Sequence, residues 1–211
     1  MKIRTIVMLW AIIVATAAAS AQPRWGIEAG ANVSHAFSTT KTKVGFNVGA
    51  IGAYSFTPHW ALEAALKLSS QPCGNLAISG LSTQSDKDYT PVYLTLPVRA
   101  AYSAHISRSV RLSVGAGPMI GVGLFGRGSW NYEVNSFPNI KMESRSHQIF
   151  NPHTVECFSS SRFEYGANVR VGLEFMRHYT LSVDYSLLHI PGKYTAVDNM
   201  GIVGINLGYI F

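Results

Sequence analysis

The 211-residue chain is predicted to be all-β, an eight-stranded antiparallel transmembrane β-barrel of up-and-down meander topology. Three observations predict it. Eight segments alternate apolar with small or polar residues at a period of two, over roughly the length a tilted strand needs to cross a bilayer. The segments between them fall into two classes, short turns and longer polar loops. Finally, no stretch after the extreme N-terminus reads as a membrane helix: the strongest candidate, 112–125, is a glycine-peppered alternation.

The N-terminus is a different kind of sequence. Lys2 and Arg4 precede an uncharged apolar run over residues 5–18, and Ala19-Ser20-Ala21 fits a small-x-small cleavage site. Fourteen apolar residues fall short of the roughly 20 that a spanning helix requires. Residues 1–21 are therefore expected to be a cleaved secretory signal peptide, and 22–211 the barrel domain. No cysteine lies near the cut, which argues against a lipid anchor. Without Lys2 and Arg4 the 17 bases become 15 against 11 acids, a formal charge of +4. No basic run accompanies that excess, so no nucleic-acid partner is expected.

Strand one covers 24–37, with Trp25, Ile27, Ala29, Ala31 and Val33 on one face and Gly26, Glu28, Gly30, Asn32 and Ser34 on the other. Strand two, 43–56, presents Val44, Phe46, Val48, Tyr54 and Phe56 outward. Thr57-Pro58-His59 turns the chain into strand three, 60–69, with Trp60, Leu62 and Leu66 out and Glu63, Lys67 and Ser69 in. Residues 71–87 lose the alternation and read as an outer loop. Strand four, 89–103, puts Leu94, Leu96, Ala100 and Tyr102 outward and Thr95, Arg99 and Ser103 inward; strand five, 110–125, sets Arg111, Ser113, Gly115 and Gly117 inward. Inward glycines suit a crowded lumen where strands bend. A second outer loop is expected over 126–161. Strand six, 162–176, alternates Phe163, Tyr165, Val169 and Val171 with Glu164, Asn168, Arg170 and Glu174. A two-residue turn at Arg177-His178 leads to strand seven, 179–187, which alternates Tyr179, Leu181 and Val183 with Ser182 and Asp184. A third loop, 190–198, leads to strand eight, 199–211, which ends on Tyr209 and Phe211. The short gaps follow strands two, four and six, the asymmetry of short inner turns and long outer loops. Trp25, Tyr54, Phe56, Trp60, Tyr102, Phe175, Tyr179, Tyr209 and Phe211 all map to the short-turn end on the outward face, as an interfacial aromatic belt would.

The segments RWGIEAGANVS, VGFNVGAIGAY, PVYLTLPVRAAYS, RLSVGAGPMIGVGL and the closing GINLGYIF, in this order and spacing, resemble the outer-membrane β-barrel ("porin family") proteins abundant in Bacteroidota. The resemblance spans nearly the whole chain after residue 21. It implies an eight-stranded barrel in the bacterial outer membrane and no particular activity. It also implies that the terminal aromatic strand, through Tyr209 and Phe211, is what the barrel-assembly machinery reads, with outer-membrane lipid as the surrounding partner.

Glu28, Glu63, Glu174 and Asp184 share the inward face with Lys67, Arg99, Arg111 and Arg170. As an enzyme site these would supply a carboxylate pair. As a structural device they form a salt-bridged plug, the favoured reading, because an eight-stranded barrel has room for side chains or one small ligand only. Opposed positions predict the pairs Arg170 with Asp184, Glu63 with Arg99, and Arg111 with Glu174. Cys73 and Cys157, the only cysteines, fall in outer loops on the same side and are expected to form a disulfide in an oxidising compartment. His147, His153 and Cys157 match no established zinc spacing, and no cofactor or metal is expected. Three functions remain: a structural or surface-interaction barrel engaging an unknown extracellular ligand or protein, which is favoured; a narrow channel or small-ligand carrier; and a lipid-A-modifying enzyme. The last would need a Ser-His-acid set on the outward rim, and His189 has no evident outward serine partner, so no enzymatic activity is expected.

Overall fold

The computed structural model describes residues 22–36, 42–78, 83–134, 140–148, 162–191 and 199–211. Ten strands are present among them: β1 (Gln22–Ala36), β2 (Thr42–Ser55), β3 (Trp60–Ser70), β4 (Cys73–Ile78), β5 (Thr83–Ser107), β6 (Val110–Val134), β7 (Ile140–Gln148), β8 (Phe163–Phe175), β9 (Tyr179–His189) and β10 (Asn199–Ile210). Eight of them close a barrel in the order β1-β2-β3-β5-β6-β8-β9-β10, every pairing antiparallel, with β1 returning to β10. Closure leaves no unpaired backbone edge within the ring, the condition for crossing a bilayer with strands.

Alternation decides the faces. Along β8 the exposed and buried positions interchange from Phe163 to Val171, with Glu164, Asn168 and Arg170 turned in. The outward set is apolar and open: Ile27, Phe46, Leu66, Ile120, Ile205 and Leu207 are each at least half exposed. So continuous an apolar surface is what a lipid environment covers. Inward, the strands approach closely. A Cβ on Gly117 would clash with the Val98 carbonyl oxygen, so only glycine fits there.

The short-turn end is held by aromatic contacts. Tyr102 stacks with His59 and meets Trp60 edge-on, at ring-centroid separations of 5.7 and 5.3 Å. On the far side Tyr209 stacks on His178 and touches Tyr179 and Phe211 edge-on, each at 5.5 Å. All nine aromatics of the expected belt are exposed. The Phe211 amide donates to the Trp25 carbonyl at 2.7 Å, fastening the chain end to β1.

Four features differ from the sequence reading. Residues 71–87 are not simply a loop: β4 occupies Cys73–Ile78, and β5 begins at Thr83. Residues 126–161 are likewise not irregular throughout, because β6 runs on to Val134 and β7 spans Ile140–Gln148. β4 pairs with the start of β5 and β7 with the end of β6, so a four-stranded sheet rises beyond the barrel on one side. Pro72, which cannot donate to a ladder, separates β3 from β4, and a register shift at Val92/Tyr93 marks the same level on β5 and β6. The third difference is the turn after β8. Its central residues are Met176 and Arg177, both with positive φ (51° and 65°), closed by the His178 amide on the Phe175 carbonyl. That is the hairpin-favoured I′ geometry, one residue earlier than the spacing suggests. Fourth, the strand before the third loop is longer than expected, since β9 continues to His189 and runs right up to position 190.

Candidate functional site in the lumen

The lumen is filled by side chains from all eight barrel strands. At mid-height three acids and three bases alternate along one continuous chain of contacts. Asp184 on β9 meets Lys67 on β3 at 3.3 Å, and Lys67 also meets Glu28 on β1 at 2.8 Å. Arg170 on β8 bonds the other Glu28 oxygen at 2.7 Å and lies 3.8 Å from Glu63. Glu63 is held by Arg99 on β5 at 2.5 Å, and Arg99 donates to Asn168 at 2.6 Å. Amides and hydroxyls extend both ends. Asn206 donates to Asp184, and Asn168 donates to Ser186 at 2.8 Å. Arg99 is fully buried, which is tolerable only because both its ends are engaged.

Below this layer, towards the short turns, Arg24 grips Glu174 with two parallel hydrogen bonds of 2.8 Å each and adds a third, of 2.9 Å, to the Arg177 carbonyl. A cavity of about 60 Å³ lies between that pair and the charge layer. Above the layer a cavity of about 30 Å³ is lined by Asn32, Asn47, Ser69, Gln71 and Asp184. Higher still, Glu164 is 2% exposed, accepts one hydrogen bond of 3.0 Å from Gln71, and has no ion pair among the described residues. The residue opposite it on β6 is Gly121, where a Cβ would collide with the Glu164 carboxylate.

The model of the outer membrane protein beta-barrel domain family matches residues 5–211. The chain belongs to that family. Among solved structures it is similar to Ail, the attachment invasion locus protein of Yersinia pestis, in complex with the heparin analogue sucrose octasulfate, at 16% identity over 90% of this chain and 99% of that one with a TM-score of 0.43. Neisserial surface protein A is similar at 15% identity, over 90% and 97% of the two chains, with a TM-score of 0.43. OprG of Pseudomonas aeruginosa is similar at 14% identity, over 89% and 95%, with a TM-score of 0.40. No curated protein sequence matches the chain.

In this outer-membrane barrel the eight charges singled out by parity all face the lumen or its mouth, but their pairing is partly different from expectation. Glu63 and Arg99 are register neighbours and do pair. Arg170 and Asp184 are opposite in register, yet their ion contacts run across the barrel to Glu28 and Lys67. Arg111 is opposite Glu174, yet both Glu174 oxygens are taken by Arg24. Long side chains in so narrow a lumen reach strands far away in the order, so register neighbours compete with cross-lumen partners. Arg24, Asn168, Asn206 and Glu164 complete the site and were not singled out from sequence. Parity places each of them beside an identified charge: Arg24 shares its face with Glu28, and Asn168 with Arg170.

The remaining candidates stand apart from the lumen. His189 faces Asn199 at 3.0 Å and the Tyr165 ring at 5.3 Å; no serine is among its described partners. The backbone of Cys73 opens β4 opposite Tyr89. Cys157 and His153 lie outside the described residues, as do the whole of the expected signal peptide and most of the 190–198 loop. Among the described residues no group of three His, Cys, Asp or Glu could hold a metal.

Proposed function

We propose that this outer-membrane barrel is plugged by its own side chains and acts as a structural or surface-interaction protein through the segments above the membrane. The observation that carries the reading is the alternating chain of six charges across the lumen, flanked by cavities of only about 60 and 30 Å³. An ion passing through would have to part buried ion pairs, each stranded charge costing several kcal/mol. The sheet of β4, the outer parts of β5 and β6, and β7 supplies a surface outside the ring for an extracellular ligand or protein. The proposal includes removal of residues 1–21 on export, membership of the Bacteroidota "porin" type, delivery by the barrel-assembly machinery through Tyr209 and Phe211, and no lipid-A hydrolase or acyltransferase chemistry at His189.

Planar-bilayer recording of the purified protein tests the plug. Steady, large single-channel steps would make it a pore and overturn the reading. The expected disulfide between Cys73 and Cys157 is part of the same proposal, tethering β4 to the segment after β7. It is checked by mobility on non-reducing gels: Cys73→Ser is expected to remove a reductant-sensitive shift, and no shift in the parent chain would exclude the bond.

A further inference from the structure

The lumen charges do not balance at both ends. Counting the mid-height chain and the short-turn mouth together, five bases (Arg24, Lys67, Arg99, Arg111, Arg170) face four acids (Glu28, Glu63, Glu174, Asp184). The surplus cation is Arg111. It stands opposite Glu174 in the β6–β8 register, but Arg24 already occupies both Glu174 oxygens at 2.8 Å. Arg111 therefore shares Glu174 only through space, and its Nε is buried without a hydrogen-bond partner.

Arg111 lines the cavity of about 60 Å³, together with Ser55, Ser103, Thr180 and Ser113, whose hydroxyl donates to the Gly172 carbonyl. The two carboxylates on the same wall, Glu63 and Glu174, are each held by arginines. A single water needs roughly 10–15 Å³ of such space, so this cavity admits something larger than one water and smaller than a sugar. Ser55 ends β2 and Thr180 is the second residue of β9, so the cavity opens at the short-turn mouth. Around that mouth His105, Arg108, Arg177 and His178 are exposed. The two arginines raise the local concentration of anions.

We propose that this vestibule is a binding site for a small tetrahedral oxyanion of the phosphate type, anchored on Arg111 and completed by the surrounding hydroxyls. A guanidinium offers a planar fork of donors matched to two oxygens of a phosphate, and hydroxyl donors can meet the others. A phosphate can arrive free in solution or as a lipid headgroup; the chemistry at Arg111 is the same.

The test uses the full barrel refolded in micelles and titrated calorimetrically with inorganic phosphate against chloride at equal ionic strength. One saturable site is expected. Arg111→Gln is expected to weaken it about tenfold or more, and Lys43→Gln, at the opposite end of the barrel where Lys43 meets Asp88, to leave it unchanged. Folding of each variant is checked by its heat-modifiable gel mobility. Should R111Q fail to fold, Arg111→Lys keeps the charge without the fork and is expected to weaken binding a few-fold. Repeating the titration in nanodiscs of phosphatidylcholine, with and without phosphatidylglycerol, separates the sources. Equal binding in both means a free ion; Arg111-dependent loss of binding only in phosphatidylglycerol means that the headgroup fills the same site. Absence of a saturable phosphate signal, or binding indifferent to both Arg111 variants, overturns the proposal.

Discussion

Glu28 and Glu164 are the same residue type on the same inner face, each 2% exposed, in opposite electrostatic circumstances. Glu28, at mid-lumen, holds Lys67 on one oxygen and Arg170 on the other. Glu164, near the outer end, has a single amide donor, Gln71. Burial alone therefore does not say how much a carboxylate matters to this barrel. What counts is how many charges would be left without a partner if it were removed.

The largest effect is expected at the centre. Glu28→Ala takes the closest carboxylate from two buried cations, leaving Lys67 with Asp184 at 3.3 Å and Arg170 with Glu63 at 3.8 Å. It should destabilise the barrel by about 3–5 kcal/mol, measured by urea unfolding in lipid vesicles; a loss below about 1 kcal/mol would mean the mid-lumen pairs are individually dispensable. The next effect tests whether the charges act as a unit. Glu63→Leu leaves both Arg99 and Arg170 short of a partner, so adding Arg99→Met should restore part of the lost stability. Additive losses in that cycle would refute coupling. At the outer end Glu164→Gln removes a carboxylate that no cation holds, and its effect is expected within about 1 kcal/mol, in either direction. A loss as large as that of Glu28→Ala would erase the contrast. The smallest effect lies outside the lumen, at the β8–β9 turn. Met176 and Arg177 both sit at positive φ. Met176→Asn with Arg177→Gly should therefore stabilise by up to about 1 kcal/mol, through relief of backbone strain.

The barrel itself was legible because the bilayer writes its thickness into the sequence: inside that slab one face of each strand must be apolar, and Ile27, Val171 and Leu207 obey. Above the slab both faces of a strand meet water, and the signal vanishes while backbone pairing persists. TQSDK at the start of β5, RGSWNYEV at the end of β6 and IKMESRSHQ in β7 therefore read as loops although they are paired strands. Membership of the charge network was also legible, since Glu28, Lys67 and Arg170 are inward by parity. Their partners were not, because parity gives a face and a height but no distance across the lumen. Arg24 shows the limit most clearly: it reaches a carboxylate 150 positions away in the chain.

The pairing of β1 with β10 has a kinetic consequence. Every other seam of the ring joins strands that follow one another along the barrel, several through turns of a few residues. This one joins Ala36 to Met200 and Gly26 to Ile210, at least 164 residues apart. Loop-closure entropy and contact order make it the slowest contact to form, after the local hairpins have zipped. Until it forms, two rows of amides and carbonyls face hydrocarbon, where nothing satisfies them. Closure of that seam, rather than the stability of the finished ring, is therefore expected to limit how fast the protein can be assembled in a membrane.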